Sequence, residues 1–498
     1  MAYDFTDLVI FEMANNHQGD VNHGMRIIDE MAKIASEHRL RAAVKLQYRQ
    51  LDTFIHPDFK DREDVKHIPR FMSTRLTMDE FQAMVNAIKE KGMLAVVTPF
   101  DEPSVDMCLN HGVDIIKVAS CSCMDWPLLE KVTKSGNPVI CSTGGCRISD
   151  IDKIVTFFEH RMDTADLALL HCVGMYPTED KDQQLHLMRR MIKRYPHCSV
   201  GYSGHESPDN LRVVTAAVAM GAKILERHVG VPTDTITLNK YSMNPEQTAE
   251  WIKEAIRARE MCGKFGEDRH IDASEAGSLQ SLARGVWAKE PIKAGERISK
   301  DKVFFAMPVQ DQQTTTKEYI DTMVASRDYE SDQPVTERRE IDKVRIMRDV
   351  LHEAKGMLRE AGIALGDDYE IEMSHHYGME NFRRVGAIII SFVNRQYCKK
   401  LILVLPGQDH PSHGHKVKEE TFQVLHGELD VVIDGEPKRL RAGDMQLVRR
   451  GQFHSFSTKT GCIFEEVSTT HQRGDSMYED PEIARLDPME RKTIIQGW

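Results

Sequence analysis

From residue 8 to about residue 262, short apolar runs alternate with longer segments of helical spacing. The runs are LVIFEMA, AAVKLQ, LAVVTPF, DIIKVAS, PVICSTG, LALLHCV, CSVGYSG and AKILERHV. Stretches such as MDEFQAMVNAIKEKG and PEQTAEWIKEAIRARE repeat their apolar positions every three to four residues. Eight β/α repeats predict a parallel (β/α)8 TIM barrel, a fold whose chemistry sits at the C-terminal ends of the strands. Here those ends carry Glu12, Asn15, Asn16, Lys45, Gln47, Thr98, Lys117, Ser120, Ser142, Thr143, His171, Tyr176, Ser203, His205 and His228. That concentration of polar side chains at one pole marks a functional mouth.

The pattern then changes. GKFGEDRHIDASEAGSL is rich in glycine and charge and reads as a linker. RGVWAKEPIKAGERISKDKVFFAMP alternates like short strands, with a turn at Lys293 to Glu296, and opens a small β-rich domain. Residues 342 to 362 have helical spacing and read as a solvated connecting helix. From Tyr369 onward AIIISFV, KKLILVL, ELDVVI and CIFEEV predict an antiparallel β-barrel. The expected limits are 1–265 for the TIM barrel, 282–341 for the small domain, 342–367 for the helical linker and 368–498 for the second barrel.

Composition narrows the class. A chain of 498 residues exceeds one ordinary core. A net charge of −12 without a long basic run excludes nucleic acid and acidic membranes as the expected partners. The start, MAYDFTDLVIFEMANN, lacks the pattern of a secretory signal, and no run of about 18 apolar residues follows, so a cytoplasmic location is expected. Ten scattered cysteines read as reduced, mostly buried thiols.

At the mouth, Lys45 and Lys117 call for an anion, because a desolvated ammonium needs one. Ser142 to Gly145, STGG, offers hydroxyls and backbone N–H groups ahead of a helix. His205 and His228, with Glu226 nearby, are candidate ligands for a divalent metal. The ordered series EMANNHQGD, VKLQ, TPFD, KVAS, CSTGG, HCVGMYP, GYSGH, ERHV and SMNPEQ resembles the sialic acid synthase family, over roughly residues 8 to 341. The block after the linker resembles that family's antifreeze-like (SAF) domain. The resemblance implies condensation of phosphoenolpyruvate (PEP) with an open-chain aldose, giving a 3-deoxy-2-ulosonic acid and phosphate. It implies that Lys45, Thr98, Lys117, Ser120, Ser142 and Ser203 hold PEP, and that His205 and His228 hold catalytic Mn²⁺. Gln18, Gln47 and Tyr176 fall where the sugar is contacted. A homodimer is implied, with the SAF domain closing the partner subunit's barrel.

Three departures lie on the acceptor side. Gln18 replaces the usual Glu or Asn, Leu238 to Tyr241 stand where an acidic residue is expected, and Met307 replaces an Arg that contacts an N-acetyl group. A thioether offers no donor to an amide. An acceptor without the acetamido group is therefore expected, mannose-like or lyxose-like. The alternative is an N-acetylneuraminate synthase proper, using N-acetylmannosamine.

The second barrel carries its own motif. His413, His415, Glu420 and Gly427, followed by Gly443, Arg449, Gly451 and His454, match the two-part cupin pattern, with Arg449 where proline is usual. Alternation places His413 and His415 on one side, and Glu420 and His454 complete a candidate 3-His-1-carboxylate metal shell. Residues 368 to 482 resemble bacterial D-lyxose isomerase-type cupins, which implies aldose–ketose interconversion with Mn²⁺. Glu465 and Glu466 are the candidate bases, of which only one can point inward, and Lys418 and His376 are candidate assistants. The fused cupin is thus expected to make the aldose that the first barrel consumes. The alternative is a noncatalytic sugar-binding or oligomerising module.

Overall fold

The computed structural model describes residues 3–163, 166–264, 269–338, 342–472 and 474–495. The limits expected at residues 1, 265, 341 and 498 lie outside them. The chain divides into two compact units between Arg269 and His270.

In the first unit all eight apolar runs are strands: β1 Leu8–Glu12, β2 Arg41–Tyr48, β3 Leu94–Pro99, β4 Ile115–Val118, β5 Val139–Ser142, β6 Leu167–Cys172, β7 Ser199–Gly204 and β8 Ile224–His228. They pair in parallel and in order, and β8 closes on β1 with Glu12 opposite His228. Strand parity then distributes the side chains. Leu8, Ile10, Ala43, Val96, Ile115, Ile140, Ala168, Leu170 and Ile224 fill the barrel interior. Val9, Phe11, Val44, Val97, Ile116 and Leu225 belong to the larger core outside it, where the helices pack. Counting on by two from the interior residues reaches Glu12, Lys45, Gln47, Thr98, Lys117, Ser142, Glu226 and His228. The mouth is therefore the polar continuation of the interior column.

The opposite parity carries polar residues too, but away from the mouth. His171 hydrogen-bonds the Gln183 carbonyl through Nε2 at 2.7 Å, so it supports a loop and leaves the polar set expected at the mouth. Arg227 is wholly buried and paired with Glu206, whose Oε2 accepts from Tyr202 Oη at 2.8 Å. Helix ends follow their caps. Thr77 and Glu80 form a capping box, as do Asn244 and Gln247 with Pro245 at the first helical position.

In the second unit the stretch expected as linker contains an exposed helix, Ala273–Ser281. The small domain pairs β9 Gly285–Ala288 with β10 Val303–Ala306 around Val286, Ile292, Ile298, Tyr329 and Val335. The helix Lys343–Glu360 is not the solvated connector that its charge suggests. Val350, Leu351, Ala354 and Leu358 pack on Ile371, Met373, Phe382, Ile388 and Leu403, so it forms an outer layer of the following sheet. Burial of one amphipathic face, rather than surface charge, decides its place.

That sheet is antiparallel and curled, with eleven strands: β11 Glu370–Ser374, β12 Ala387–Asn394, β13 Tyr397–Val404, β14 Asp409–His415, β15 Glu420–Ile433, β16 Glu436–Arg441, β17 Met445–Val448, β18 His454–Ser457, β19 Cys462–Thr469, β20 Ser476–Tyr478 and β21 Lys492–Ile495. The long β15 pairs with both β18 and β19 and so bends the sheet round on itself.

Replacing Glu206 by Gln leaves the Arg227 guanidinium buried without a counter-charge, which should cost about 3–5 kcal/mol. The expected outcome is a lower unfolding midpoint for the first unit in calorimetry; an unchanged midpoint would show that the pair does not support the barrel.

Candidate functional site

At the barrel mouth two lysines meet two carboxylates below the surface. Lys45 Nζ pairs with Glu12 and, at 2.8 Å, with Glu226 Oε1. Lys117 Nζ lies 3.8 Å from the same Glu226 oxygen and donates to Ser142 Oγ at 2.6 Å. Ser203 Oγ donates to Glu226 Oε1 at 2.8 Å. All of these residues are buried. Burial lowers Lys45 to about 8, within reach of neutral pH. Burial raises Glu226, but Lys117 and Lys45 outweigh it and hold the carboxyl at about 2. Its Oε2 meets no donor among the described residues. Glu226 is thus the counter-ion of the lysines, a role that its position beside the histidines in sequence does not disclose.

Thr98 is buried at the end of β3, in register with Gln47, whose Nε2 approaches Glu12 Oε1 at 3.4 Å. Ser120 anchors the STGG loop by accepting from the Gly144 N–H at 3.0 Å. A Cβ on Gly144 would stand 2.7 Å from Ser120 Oγ, so the loop needs glycine for this approach.

Above the lysines, the His205 and His228 rings lie 5.3 Å apart. His205 Nδ1 is 3.0 Å from the Val173 carbonyl, which places its proton there and leaves the Nε2 lone pair free. Burial lowers His205 to about 4 and lowers His228 well below its usual value, so both stay neutral, as metal ligands must. The donor set therefore fits a divalent cation. Tyr176 and Tyr241 wall this spot: Tyr176 is 4.2 Å from His205, and Tyr241 is 5.1 Å from both Tyr176 and His228. Tyr241 was legible only as a place where an acidic residue is missing. Gln18 is exposed on the loop after β1 at φ +55°, and its side chain has no hydrogen bond to the cluster among the described residues.

The second barrel encloses a cavity of about 500 Å³. His413, on β14, faces His454, on β18, in register, and ligand atoms of His413, His415 and His454 lie within 4.8 Å of one another. Glu420 Oε1 is 3.4 Å from His415 Nε2, and its Oε2 is 3.2 Å from His454 Nε2. His415 Nε2, His454 Nε2 and Glu420 Oε2 are all buried without a hydrogen bond. Orphaned lone pairs converging on one point fit a cation. Burial lowers His415 to about 4 and His413 well below its usual value.

Of the two candidate bases only Glu466 lines the cavity. Glu465 points the other way and pairs with Lys399 at 2.8 Å, which removes it from the candidates. Glu466 Oε1 is 3.0 Å from Lys418 Nζ and 3.6 Å from Lys400 Nζ, and it accepts from Ser468 Oγ at 3.0 Å. Burial raises Glu466, yet Lys400 and Lys418 hold it below the usual carboxylate range. Lys418 also pairs with Glu420, and so couples the candidate base to the candidate metal shell. His376 stands within 3.1 Å of His410, nitrogen to nitrogen. Lys400 and His410 were not found from sequence. Period-two counting on β13 aims Lys400 inward with Ile402, whereas His410 faces the cavity only because β14 is irregular between His410 and His413, which no sequence spacing discloses.

Comparison with known proteins gives the same three-part organisation. Family models match residues 31–267 (NeuB family), 283–339 (SAF domain) and 400–464 (Cupin domain). An uncharacterized protein of Methanocaldococcus jannaschii is 30% identical over 332 residues, 65% of this chain and 91% of its own length. The N,N'-diacetyllegionaminic acid synthase of Campylobacter jejuni is 24% identical over 66% of this chain and 99% of its own. A solved structure of spore coat polysaccharide biosynthesis protein E from Chromobacterium violaceum is 45% identical, covers 66% of this chain and 98% of its own, and superposes with a TM-score of 0.64.

Chelator-treated protein should rebind a divalent cation with a rise in unfolding temperature. Replacing His454 by Ala should abolish binding at the cupin site by equilibrium dialysis, and equal metal content in the variant would contradict the assigned ligands.

Proposed function

The chain belongs to the NeuB family, and on that premise we propose that its first barrel condenses PEP with an open-chain aldose to a 3-deoxy-2-ulosonic acid and phosphate. The buried Lys45–Glu226–Lys117 cluster carries the reading. Two ammonium groups at the floor of a mouth are matched to a ligand with a phosphate and a carboxylate. Ser142 and Ser203 add hydroxyl donors beside them. With PEP so held, its C3 attacks the aldehyde carbon, water adds at C2, and C–O cleavage of that adduct releases phosphate. Tyr176 and Tyr241 exclude water from one side and orient the aldose by its apolar faces.

The acceptor is read as an aldose without an N-acetyl group, mannose-like or lyxose-like. Met307 and Tyr241 support this, because neither thioether nor ring replaces a charged partner for an amide. The cupin is read as the isomerase that makes this aldose from a ketose. Glu466, ionised beside Lys418 and Lys400, is the base that moves a proton between C1 and C2. Divalent cations, which we assign as Mn²⁺, would supply Lewis-acid polarisation of the substrate carbonyl, held by His205 and His228 in one barrel and by His413, His415, Glu420 and His454 in the other. The assembly is read as a homodimer in which the SAF domain of one protomer covers the barrel of its partner.

Phosphate release should require PEP and aldose together, and should be faster with D-mannose or D-lyxose than with N-acetylmannosamine; the reverse order would refute the acceptor assignment. Replacing Lys117 by Ala should cut the rate about 100-fold or more. The KM for PEP should rise as pH passes about 8, where Lys45 loses its proton. Glu466→Gln should lower ketose–aldose exchange about 10²–10⁴-fold while leaving PEP-dependent phosphate release from supplied aldose unchanged.

A further inference from the structure

The cupin cavity is lined by four cationic side chains, and three of them have carboxylate partners. Lys400 and Lys418 face Glu466 and Glu420, and Lys492 pairs with Glu372 at 3.0 Å. Arg491 is the exception among the described residues. It lines the same cavity and is only 9% exposed; its Nε is buried without a hydrogen bond, and its guanidinium has no ion pair or hydrogen bond among the described residues. Its contact is with an aromatic face: the guanidinium carbon sits 4.7 Å from the Tyr478 ring centre. Tyr478 is in turn stacked on the candidate metal ligand His413, with ring centres 5.6 Å apart and planes 21° from parallel. The Arg491 carbonyl accepts from the His375 N–H at 2.7 Å, which fixes the residue's backbone just before the start of β21.

A guanidinium that is buried, fixed and without a counter-charge calls for an anion from outside the chain, since desolvating it unpaired is unfavourable. Its planar fork matches the oxygens of a phosphate or carboxylate. The metal shell, one aromatic ring away, addresses the neutral oxygens of a sugar. We propose that Arg491 is an anion subsite of the cupin cavity, so that this barrel takes an open-chain sugar carrying a terminal phosphate or carboxylate, with its carbonyl end toward His413, His415, Glu420 and His454. The proposal rests on the reading of the cupin as a sugar site. It adds that the sugar is charged at the end remote from the metal. If the cupin supplies the first barrel, the acceptor consumed there carries the same terminal anion.

The test is titration calorimetry on the full-length, Mn²⁺-loaded protein with D-mannose, D-mannose 6-phosphate and D-mannuronate as probes. Wild-type protein should bind one or both anionic sugars at least about tenfold more tightly than mannose. Arg491→Met, which keeps bulk without charge, should erase that difference, and Arg491→Lys should keep part of it. Any preference belonging to the first barrel is common to all variants, so only the change on substitution is read. Loss for the phosphate alone, or for the uronate alone, identifies the anion. No preference in the wild type, or one that persists in Arg491→Met, would overturn the proposal and leave Arg491 a cation–π prop for Tyr478. If the Met variant does not fold, Arg491→Lys decides: an undiminished preference overturns the proposal. Binding is read whether or not the bound sugar is interconverted, so inactivity of the cupin as an isomerase would not be mistaken for absence of the subsite.

Discussion

The first barrel is organised around four buried charges sharing one small volume. Lys45 and Lys117 are set in a desolvated mouth with Glu12 and Glu226 beside them as counter-charges. Glu226 is in turn held ionised by the lysines. Such a cluster is balanced but not saturated, since Glu226 Oε2 meets no donor among the described residues. A dianionic ligand can enter it without the field of the site being built anew. The histidines above it remain neutral for the opposite reason, that burial disfavours their charged form.

Much of this was legible in the sequence because a parallel barrel obeys a simple rule. Every strand was marked by a short apolar run, and parity from its interior residues leads directly to Lys45, Lys117, Ser142 and Glu226. His171 ended a strand and looked like part of the mouth, but it has the outer parity and serves a loop. Glu226 was read with the histidines because it is two residues from one of them, although its oxygens reach the lysines. Tyr241 was hidden because it sits in a loop, where no periodicity says which way a side chain faces.

In the cupin the metal motif carried its own geometry, since two histidines at spacing two on one strand must share a face. The same alternation separated Glu465 from Glu466 without saying which was inside. That choice was made by their neighbours. In the register of β13 with β19, Lys400 stands opposite Glu466 and Leu401 opposite Glu465. Arg491 was out of reach of such reasoning, because it lies past the last irregular loop and has no motif around it.

The helix Lys343–Glu360 also changes what counts as the cupin module. Its apolar face covers Ile371, Met373, Ile388 and Leu403 on the convex side of the sheet, away from the cavity. A fragment beginning at the first strand would shed that cover and present a greasy, strand-rich surface to solvent, prone to self-association. The transferable unit, whether moved by gene fusion or by cloning, therefore starts near residue 342, and the helix travels with the barrel it shields rather than with the domain that precedes it.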